Sequence, residues 1–283
     1  MELAVITDEI SQDLDHALEV MKEYGVYGAE IRGVWGVNIA DADDVVVKNI
    51  VSTIKAHGMK VVGIATPVFK CDLPNVIVAG SESSTGMMHG AQTHGFKDQI
   101  EILHRCIEAA VALDTKLIRV FTFWKKTELT PAIEDAIVEA FREPARIAEA
   151  AGITLLVENE HACFTGTGVE TARVLARINS PAVRSVWDPG NAQMALEVPF
   201  PVGYNAIKEY IAHVHIKDVD KNQQWTVVGA GVIDWKGQLA ALKADGYNGY
   251  LSLETHYSGG GDPETSSRQC LAGLKKLFET ISA

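Results

Sequence analysis

Residues 153–161 read Ile-Thr-Leu-Leu-Val-Glu-Asn-Glu-His, an apolar run that ends abruptly in charged and polar side chains. Apolar runs of this length are typical of strands in a parallel sheet, because both faces of such a sheet are covered. Functional side chains cluster where such strands end and turn into loops. The segment therefore predicts a buried parallel strand that carries Glu158 to a functional edge of the sheet.

The same pattern recurs three times further along the chain. Residues 183–191 end in Trp-Asp-Pro-Gly-Asn, residues 211–218 end in His-Ile-Lys-Asp, and residues 249–256 end in Glu-Thr-His. The first polar groups at the four strand ends, which together we term the quartet, are Glu158, Asp188, His215 and Glu254. Intervals of about 27 to 39 residues separate them, and each interval fits one strand, one helix and two loops. The spacing predicts one quartet member on each of four successive βα units.

The rest of the chain continues this alternation of strands and helices. Four further strands are predicted at residues 3–7, 27–32, 59–65 and 116–122. Helices are predicted at residues 13–24, 43–57, 96–113, 131–151, 169–178, 204–209, 234–244 and 264–281. Pro144 predicts a kink or a break in the fourth helix, and Asp234 suits an N-cap.

Eight strands separated by helices must be parallel, because a parallel pair needs a crossover connection. We therefore predict an α/β fold, a (β/α)8 TIM barrel, whose active site lies at the carboxyl ends of the strands. An open doubly wound sheet is the alternative, but no Gly-rich phosphate loop follows the first strand. The 283 residues contain no linker-like tract, so a single domain over residues 1–283 is expected.

Composition and charge restrict the partners. The formal net charge of −12 disfavours nucleic acid and anionic membranes. The four cysteines are scattered, the N-terminus is acidic where a signal peptide is basic, and no run of ~18 apolar residues occurs. We expect a soluble, cytoplasmic protein with a small-molecule sugar or polyol substrate. The sequence leaves open whether it forms a homo-oligomer.

The quartet combines three carboxylates with one imidazole and contains no thiolate. This donor set suits a divalent metal ion, with Mn²⁺ the first candidate and Mg²⁺, Co²⁺ or Zn²⁺ as alternatives. Converging carboxylates repel one another, and a divalent cation allows all three to stay ionised. Any single member could instead be a solvated carboxylate or an N-cap, but four at regular spacing favour a metal centre.

Further candidate residues lie near the predicted mouth of the barrel. Side chains at the ends of other strands could bind a polyol: Arg32, Trp35, Lys70, Arg119 and Trp124. Side chains next to the quartet could contact substrate as well: Glu160, His161, Lys217 and His256. Lys217 and Asp218 are either an exposed pair or a rim site whose cation steadies a substrate oxyanion. His213 lies one layer deeper than His215 and is interpreted as a core or supporting histidine.

The connection at residues 66–95 has no clear periodicity and is far longer than usual. Its glycines, Gly80, Gly86 and Gly90, could absorb large dihedral changes. We predict that this segment is a lid over the mouth that moves when substrate binds.

Several segments give the chain a family resemblance over essentially its whole length: residues 157–161, 187–191, 214–218, 229–235 and 246–254. In these segments it resembles the xylose isomerase-like barrel family of sugar isomerases and epimerases, whose members include tagatose 3-epimerase, hydroxypyruvate isomerase and inosose dehydratase. The resemblance implies that the quartet binds one divalent metal. It also implies that Glu158 and Glu254 act as acid and base on opposite sides of a keto sugar.

These observations predict a divalent-metal-dependent sugar isomerase or epimerase of carbohydrate metabolism. It would transfer protons next to a metal-bound carbonyl through two glutamates. The alternative is a metal-dependent lyase or dehydratase of a keto sugar or keto-inositol, because the His-Ile-Lys-Asp segment resembles the inosose dehydratase type. A non-catalytic sugar-binding subunit is the third hypothesis.

Overall fold

Eight parallel strands form a closed barrel in the computed structural model, which describes residues 1–76, 91–92 and 94–282. The strands are β1 Glu2–Ile6, β2 Gly28–Ile31, β3 Lys60–Ala65, β4 Leu117–Val120, β5 Thr154–Glu158, β6 Val183–Trp187, β7 Ile211–Ile216 and β8 Tyr250–Leu253. They are arranged in chain order around the ring, and β1 pairs with β8 to close it, with Glu2 opposite Tyr250. The predicted TIM barrel is confirmed.

Helices surround the strands and bury one face against them. They are α1 Leu14–Glu23, α2 Asp44–Ala56, α3 Gln99–Ala112, α4 Pro131–Ala151, α5 Gly168–Ile178, α6 Pro189–Met194, α7 Tyr204–Ile207, α8 Trp235–Ala244 and α9 Pro263–Ser282. Asp234 caps α8 as predicted, because its carboxylate accepts a hydrogen bond from the backbone N–H of Gly237. None of the described helices is long and apolar enough to cross a bilayer.

The helix α4 continues through Pro144 as one element, so a break there is wrong, and a kink at Pro144 stays a prediction. A proline inside a helix removes one backbone hydrogen bond. However, Phe141, Ala145 and Ala148 are buried on either side of Pro144. Because most helical stability comes from packing of the apolar face, these contacts hold both halves against the barrel in one helix.

Two irregularities in the barrel lie beside the candidate site. The register between β2 and β3 shifts at Ala29 and Glu30, and the register between β6 and β7 shifts at Ser185 and Val186. Register shifts of this kind re-aim side chains and are common next to active sites. Here they precede the carboxylates of Glu30 and Asp188.

A small hairpin extends from the end of β7 over the mouth. Residues Asp218–Val219 pair antiparallel with Trp225–Thr226. The Asp218 carboxylate accepts backbone hydrogen bonds from Gly229 at 2.8 Å and Gly231 at 3.1 Å, and so ties the following loop to the hairpin. Lys217 and Asp218 are only 2% and 1% exposed. The interpretation of these two residues as an exposed pair is therefore wrong.

Much of the predicted lid, including Gly80, Gly86 and Gly90, lies outside the described residues. Its described start is fixed to the end of β4. Val68 O accepts from Phe121 N at 2.9 Å, and Cys71 O accepts from Trp124 N at 3.0 Å. These bonds show that residues 68–71 run alongside the chain that leaves β4. Movement of the whole connection stays a prediction.

Candidate metal centre and active site

The structure brings the quartet together at the carboxyl end of the barrel. Potential ligand atoms of Glu158, Asp188, His215 and Glu254 all lie within 4.8 Å of one another. All four residues are buried, with at most 2% of each exposed. Because the carboxyl ends of β5 to β8 meet at the same rim, consecutive βα units place the four donors in one cluster.

Asp188 uses its two carboxylate oxygens differently. Oδ1 caps α6 by accepting from Asn191 N at 2.8 Å, whereas Oδ2 faces Lys217 Nζ at 3.0 Å. The Asn191 side chain then donates to Glu158 Oε1 at 3.0 Å and Glu160 Oε2 at 3.2 Å. Asp188 is therefore both the N-cap of α6 and a member of the quartet cluster. The short helix α6 positions Asn191, which our sequence-based set of site residues did not include.

Glu30 supports His215 from inside the barrel. Its two oxygens lie 3.1 Å from His215 Nε2 and 3.0 Å from His213 Nε2. Burial opposes ionisation of Glu30, but His215 and His213 hold its pKa well below the ordinary value. With Nε2 held by Glu30, His215 directs Nδ1 toward Glu158 Oε1, 3.4 Å away, and Glu254 Oε2, 3.7 Å away. His213 thus has the supporting position that its place in the sequence indicates.

Glu30→Gln is expected to weaken divalent-metal binding by about 10- to 100-fold, because partners of a ligating imidazole fix its orientation and its basicity. The measurement is calorimetric titration of Mn²⁺ into metal-stripped protein. Glu108→Gln, an exposed change on the outer face of α3, is the matched control and should keep the native affinity. Equal affinities for Glu30→Gln and the native protein would contradict the supporting role of Glu30.

Three basic side chains contact the carboxylates of the quartet. Arg119 Nη1 lies 2.9 Å from Glu158 Oε2 and 3.7 Å from Glu254 Oε1. Arg32 Nη1 donates to Glu254 Oε1 at 3.2 Å. Lys217 Nζ lies 2.5 Å from Glu254 Oε2 and 4.0 Å from Glu158 Oε1. Lys217 therefore lies inside the cluster, deeper than the rim position that the sequence indicated.

These cations stabilise the ionised carboxylates of the quartet unequally: Arg119 and His215 help to hold the pKa of Glu158 below its ordinary value, whereas the pKa of Asp188 is raised. Burial is the main cause that raises the pKa of Asp188 to about 7. The positive charge of Lys217 opposes this rise, and the negative charges of Glu158 and Glu254 contribute to it. Among the described side chains, His215 Nδ1 has no hydrogen-bond partner although it is buried. A buried ring nitrogen without a hydrogen-bond partner, set among carboxylates, is an arrangement that a divalent cation would satisfy. The residues present therefore fit a metal ion.

Three of the other predicted substrate-binding residues lie next to the quartet: Glu160, His161 and His256. Glu160 and His161 adjoin the quartet through Asn191, whose Oδ1 lies 3.2 Å from His161 Nδ1. His256 Nε2 lies 3.6 Å from Glu254 Oε1.

Lys70 and Trp124 form a second group on the β4 side. Lys70 Nζ lies 4.4 Å from the centre of the Phe121 ring and 5.2 Å from that of Trp124. The structure does not bring Trp35 to the quartet. It lies in the turn between Gly33–Val34 and Val37–Asn38 and is 40% exposed.

Trp225 is a mouth residue that sequence reasoning missed. Its ring lies 5.0 Å from that of His256, edge to face, and 6.2 Å from that of His161. Lys217 Nζ lies 5.2 Å from the ring centre. A tryptophan between two strand-end histidines is an aromatic wall for a ligand. Its position depends on the hairpin pairing. Residues 219–231 show no strand-like alternation of apolar and polar side chains from which this pairing could be predicted.

The sequence pattern of the xylose isomerase-like TIM barrel family matches residues 18–277. The chain belongs to this family. It is 29% identical over 111 residues to an inosose dehydratase from Lacticaseibacillus casei, a match that covers 31% of this chain and 37% of that protein. The match thus spans little more than a third of the relative's length.

Solved structures of the same fold include epimerases and a dehydratase. D-psicose 3-epimerase from Clostridium cellulolyticum H10 superposes with a TM-score of 0.74 over 99% of each chain, at 18% identity. A probable 3-DHS dehydratase from Bacillus anthracis superposes with a TM-score of 0.74 over 98% of this chain and 99% of that one, at 14% identity. At these identities the likeness shows a shared fold.

Proposed function

We propose that the chain is a divalent-metal-dependent isomerase or epimerase of a keto sugar, with Mn²⁺ as the first candidate metal. The observation that carries the proposal is the buried quartet, in which two glutamates from β5 and β8 meet one aspartate and one histidine within 4.8 Å. Epimerases among the solved relatives support this reaction class. All four quartet members are proposed ligands.

The two glutamates are the proposed acid and base. Glu158 is oriented by Arg119 and Asn191, and Glu254 is oriented by Arg32 and Lys217. A divalent cation held by the quartet would polarise the substrate carbonyl and so make the neighbouring C–H more acidic. One glutamate then takes the proton from that carbon. The other returns a proton on the opposite face, which gives epimerisation, or a proton returns at the adjacent carbon, which gives isomerisation.

The surrounding side chains would bind the substrate hydroxyls. Glu160, His161 and His256 lie next to the glutamates, and Lys217 and Arg119 present positive charge to the same space. Burial of Glu160, Lys217 and Arg119 excludes water and strengthens their electrostatic contacts with a reacting oxygen. Lys70 and Trp124 would border the substrate on the β4 side. The proposal predicts no role for nucleic acid or a membrane.

A lyase or dehydratase of a keto sugar or keto-inositol is the second candidate. The buried ammonium of Lys217, 3.0 Å from Asp188 and 2.5 Å from Glu254, favours it, because its positive charge could stabilise the negative charge that develops on a departing hydroxyl. The sequence likeness to an inosose dehydratase supports the same class. Both reactions begin with removal of a proton next to a carbonyl, so they differ only in whether a β-substituent leaves.

Incubation with keto sugars in D₂O, followed by mass spectrometry, distinguishes these candidates. An isomerase or epimerase is expected to introduce deuterium at a carbon next to the carbonyl without loss of water. A product lighter by one water, with ultraviolet absorption from an unsaturated ketone, would replace the first candidate by the lyase. Neither change with any keto sugar or keto-inositol would leave the sugar-binding subunit as the remaining hypothesis.

A further inference from the structure

A cavity of about 560 Å³ lies beside the quartet, and we term it the distal pocket. The loops after β1, β2 and β8 and the hairpin residue Trp225 form its walls. Its volume is in the range of about 300 to 1,000 Å³ that is typical of small-molecule sites. The quartet does not line it, but Arg32 and His256 line it and also contact Glu254. The distal pocket therefore adjoins the reacting centre without containing it.

The charged side chains that line the distal pocket are mostly acidic: the carboxylates of Asp8, Glu9 and Asp262 outnumber the one guanidinium, Arg32. Arg32 binds both oxygens of Asp8 at 3.1 Å, Glu9 Oε1 at 2.5 Å and, at the quartet, Glu254. Asp262 accepts hydrogen bonds from the N–H and the hydroxyl of Thr265 at the start of α9. A phosphate or carboxylate of a ligand would have to displace these carboxylates from the guanidinium and would then face them. The lining therefore disfavours an anionic ligand.

The remaining lining offers uncharged hydrogen-bonding groups and apolar walls. Side-chain hydroxyl and amide groups come from Gln12, Thr255, Tyr257, Ser258 and Ser266. Trp225 and Pro263 supply the apolar surface. Hydroxyl and amide groups both donate and accept hydrogen bonds, so they can pair with many hydroxyls of varied orientation. A polyhydroxylated ring, which has polar edges and less polar faces, matches this mixture.

We propose that the distal pocket binds the non-reacting part of the substrate, and that this part is an uncharged polyhydroxylated ring. The substrate class is then a neutral glycoside or disaccharide with a keto group on the ring at the quartet, and a sugar phosphate is excluded. The inference rests on the proposed function for the identity of the reacting ring. The binding preference of the distal pocket itself can be measured without turnover.

The test measures the affinities of glucose, cellobiose and glucose 6-phosphate for the Mn²⁺-loaded protein by isothermal titration calorimetry. Cellobiose is expected to bind at least about tenfold more tightly than glucose, because its second ring adds contacting atoms. Glucose 6-phosphate is expected to bind no more tightly than glucose. Equal affinities of cellobiose and glucose, or tighter binding of the phosphate, would overturn the proposal.

Ser258→Trp is the blocking variant, because Ser258 is an exposed lining residue on a loop and makes none of the quartet contacts. It is expected to remove the advantage of cellobiose over glucose. Ser52→Trp, an exposed change on the outside of α2, is the matched control and should keep that advantage. If Ser258→Trp does not fold, Trp225→Ala should reduce the same affinity ratio. An unchanged ratio in the folded blocking variant would refute the site.

Deuterium exchange into a keto monosaccharide separates this proposal from the proposed function. If the native protein exchanges the proton of a keto monosaccharide but binds cellobiose no more tightly than glucose, the proposal for the distal pocket is refuted and the proposed function is not. A cellobiose advantage that Ser258→Trp removes, in a protein that exchanges no keto sugar, would support the pocket and refute the reaction.

Discussion

Glu158→Gln and Glu254→Gln are each expected to lower kcat by ~10² to 10⁴, the usual contribution of a general acid or base. The amide keeps much of the side-chain shape but cannot take a proton. At Glu254 it would also lose the charge that Arg32 and Lys217 contact at 3.2 and 2.5 Å. The measurement is steady-state turnover of the keto sugar identified by deuterium exchange, with solvent exchange of its α-proton followed separately.

Turnover and solvent exchange, measured together, show whether both glutamates or only one of them transfers a proton. If the glutamates act on opposite faces, each variant loses turnover while one of them can still exchange the proton on its own face. Glu149→Gln, an exposed change near the end of α4, is the control and should keep native kcat. Native turnover in either site variant would remove that residue from the proposed acid–base pair.

His215→Ala and Asp188→Ala are expected to lose bound metal and activity together. The native protein should contain about one divalent ion per chain, because four buried donor groups converge within 4.8 Å and a bound cation would offset the cost of burying their charges. Removing His215 or Asp188 takes away one donor of four and leaves the remaining carboxylates to repel one another. Elemental analysis and the shift of the thermal midpoint on adding Mn²⁺ measure the loss.

His104→Ala, an exposed change on α3, is the control for the histidine and should retain native metal content. Full activity with native metal content in His215→Ala or Asp188→Ala would show that the substituted residue is not a ligand. A native protein without metal, and without a thermal shift on adding Mn²⁺, would contradict the metal centre as a whole.

The barrel and the convergence of the quartet could be predicted from local sequence. Each quartet residue is the first polar group at the end of an apolar run, and the fold places such ends on one rim. The spacing between Glu158 and Asp188 therefore predicted that the two residues are neighbours on the rim, because one βα unit separates neighbouring strands of the barrel. Helix ends followed equally local signals, as the Asp234 cap shows.

The supporting residues could not be predicted in the same way, because their partners are distant in the sequence. Glu30 lies in a strand of only four residues, and its role depends on histidines from β7 across the barrel. Arg32 joins carboxylates from the ends of β1 and β8, which only ring closure brings together. Trp225 reaches the mouth through a two-residue strand that is too short to show a period. Pro144 does not break α4, because packing of the apolar face outweighed the local signal.

The pairing of β1 with β8 has a consequence for how the protein folds during synthesis. Until residues 250–253 have left the ribosome, β1 can pair only with β2, and its other edge remains unpaired. Exposed strand edges can pair with other chains, so the nascent protein is open to aggregation during this interval. Contacts between residues so far apart also form slowly, because a long loop must close first. Glu254 directly follows the closing strand, so the active site is completed only when the ring closes.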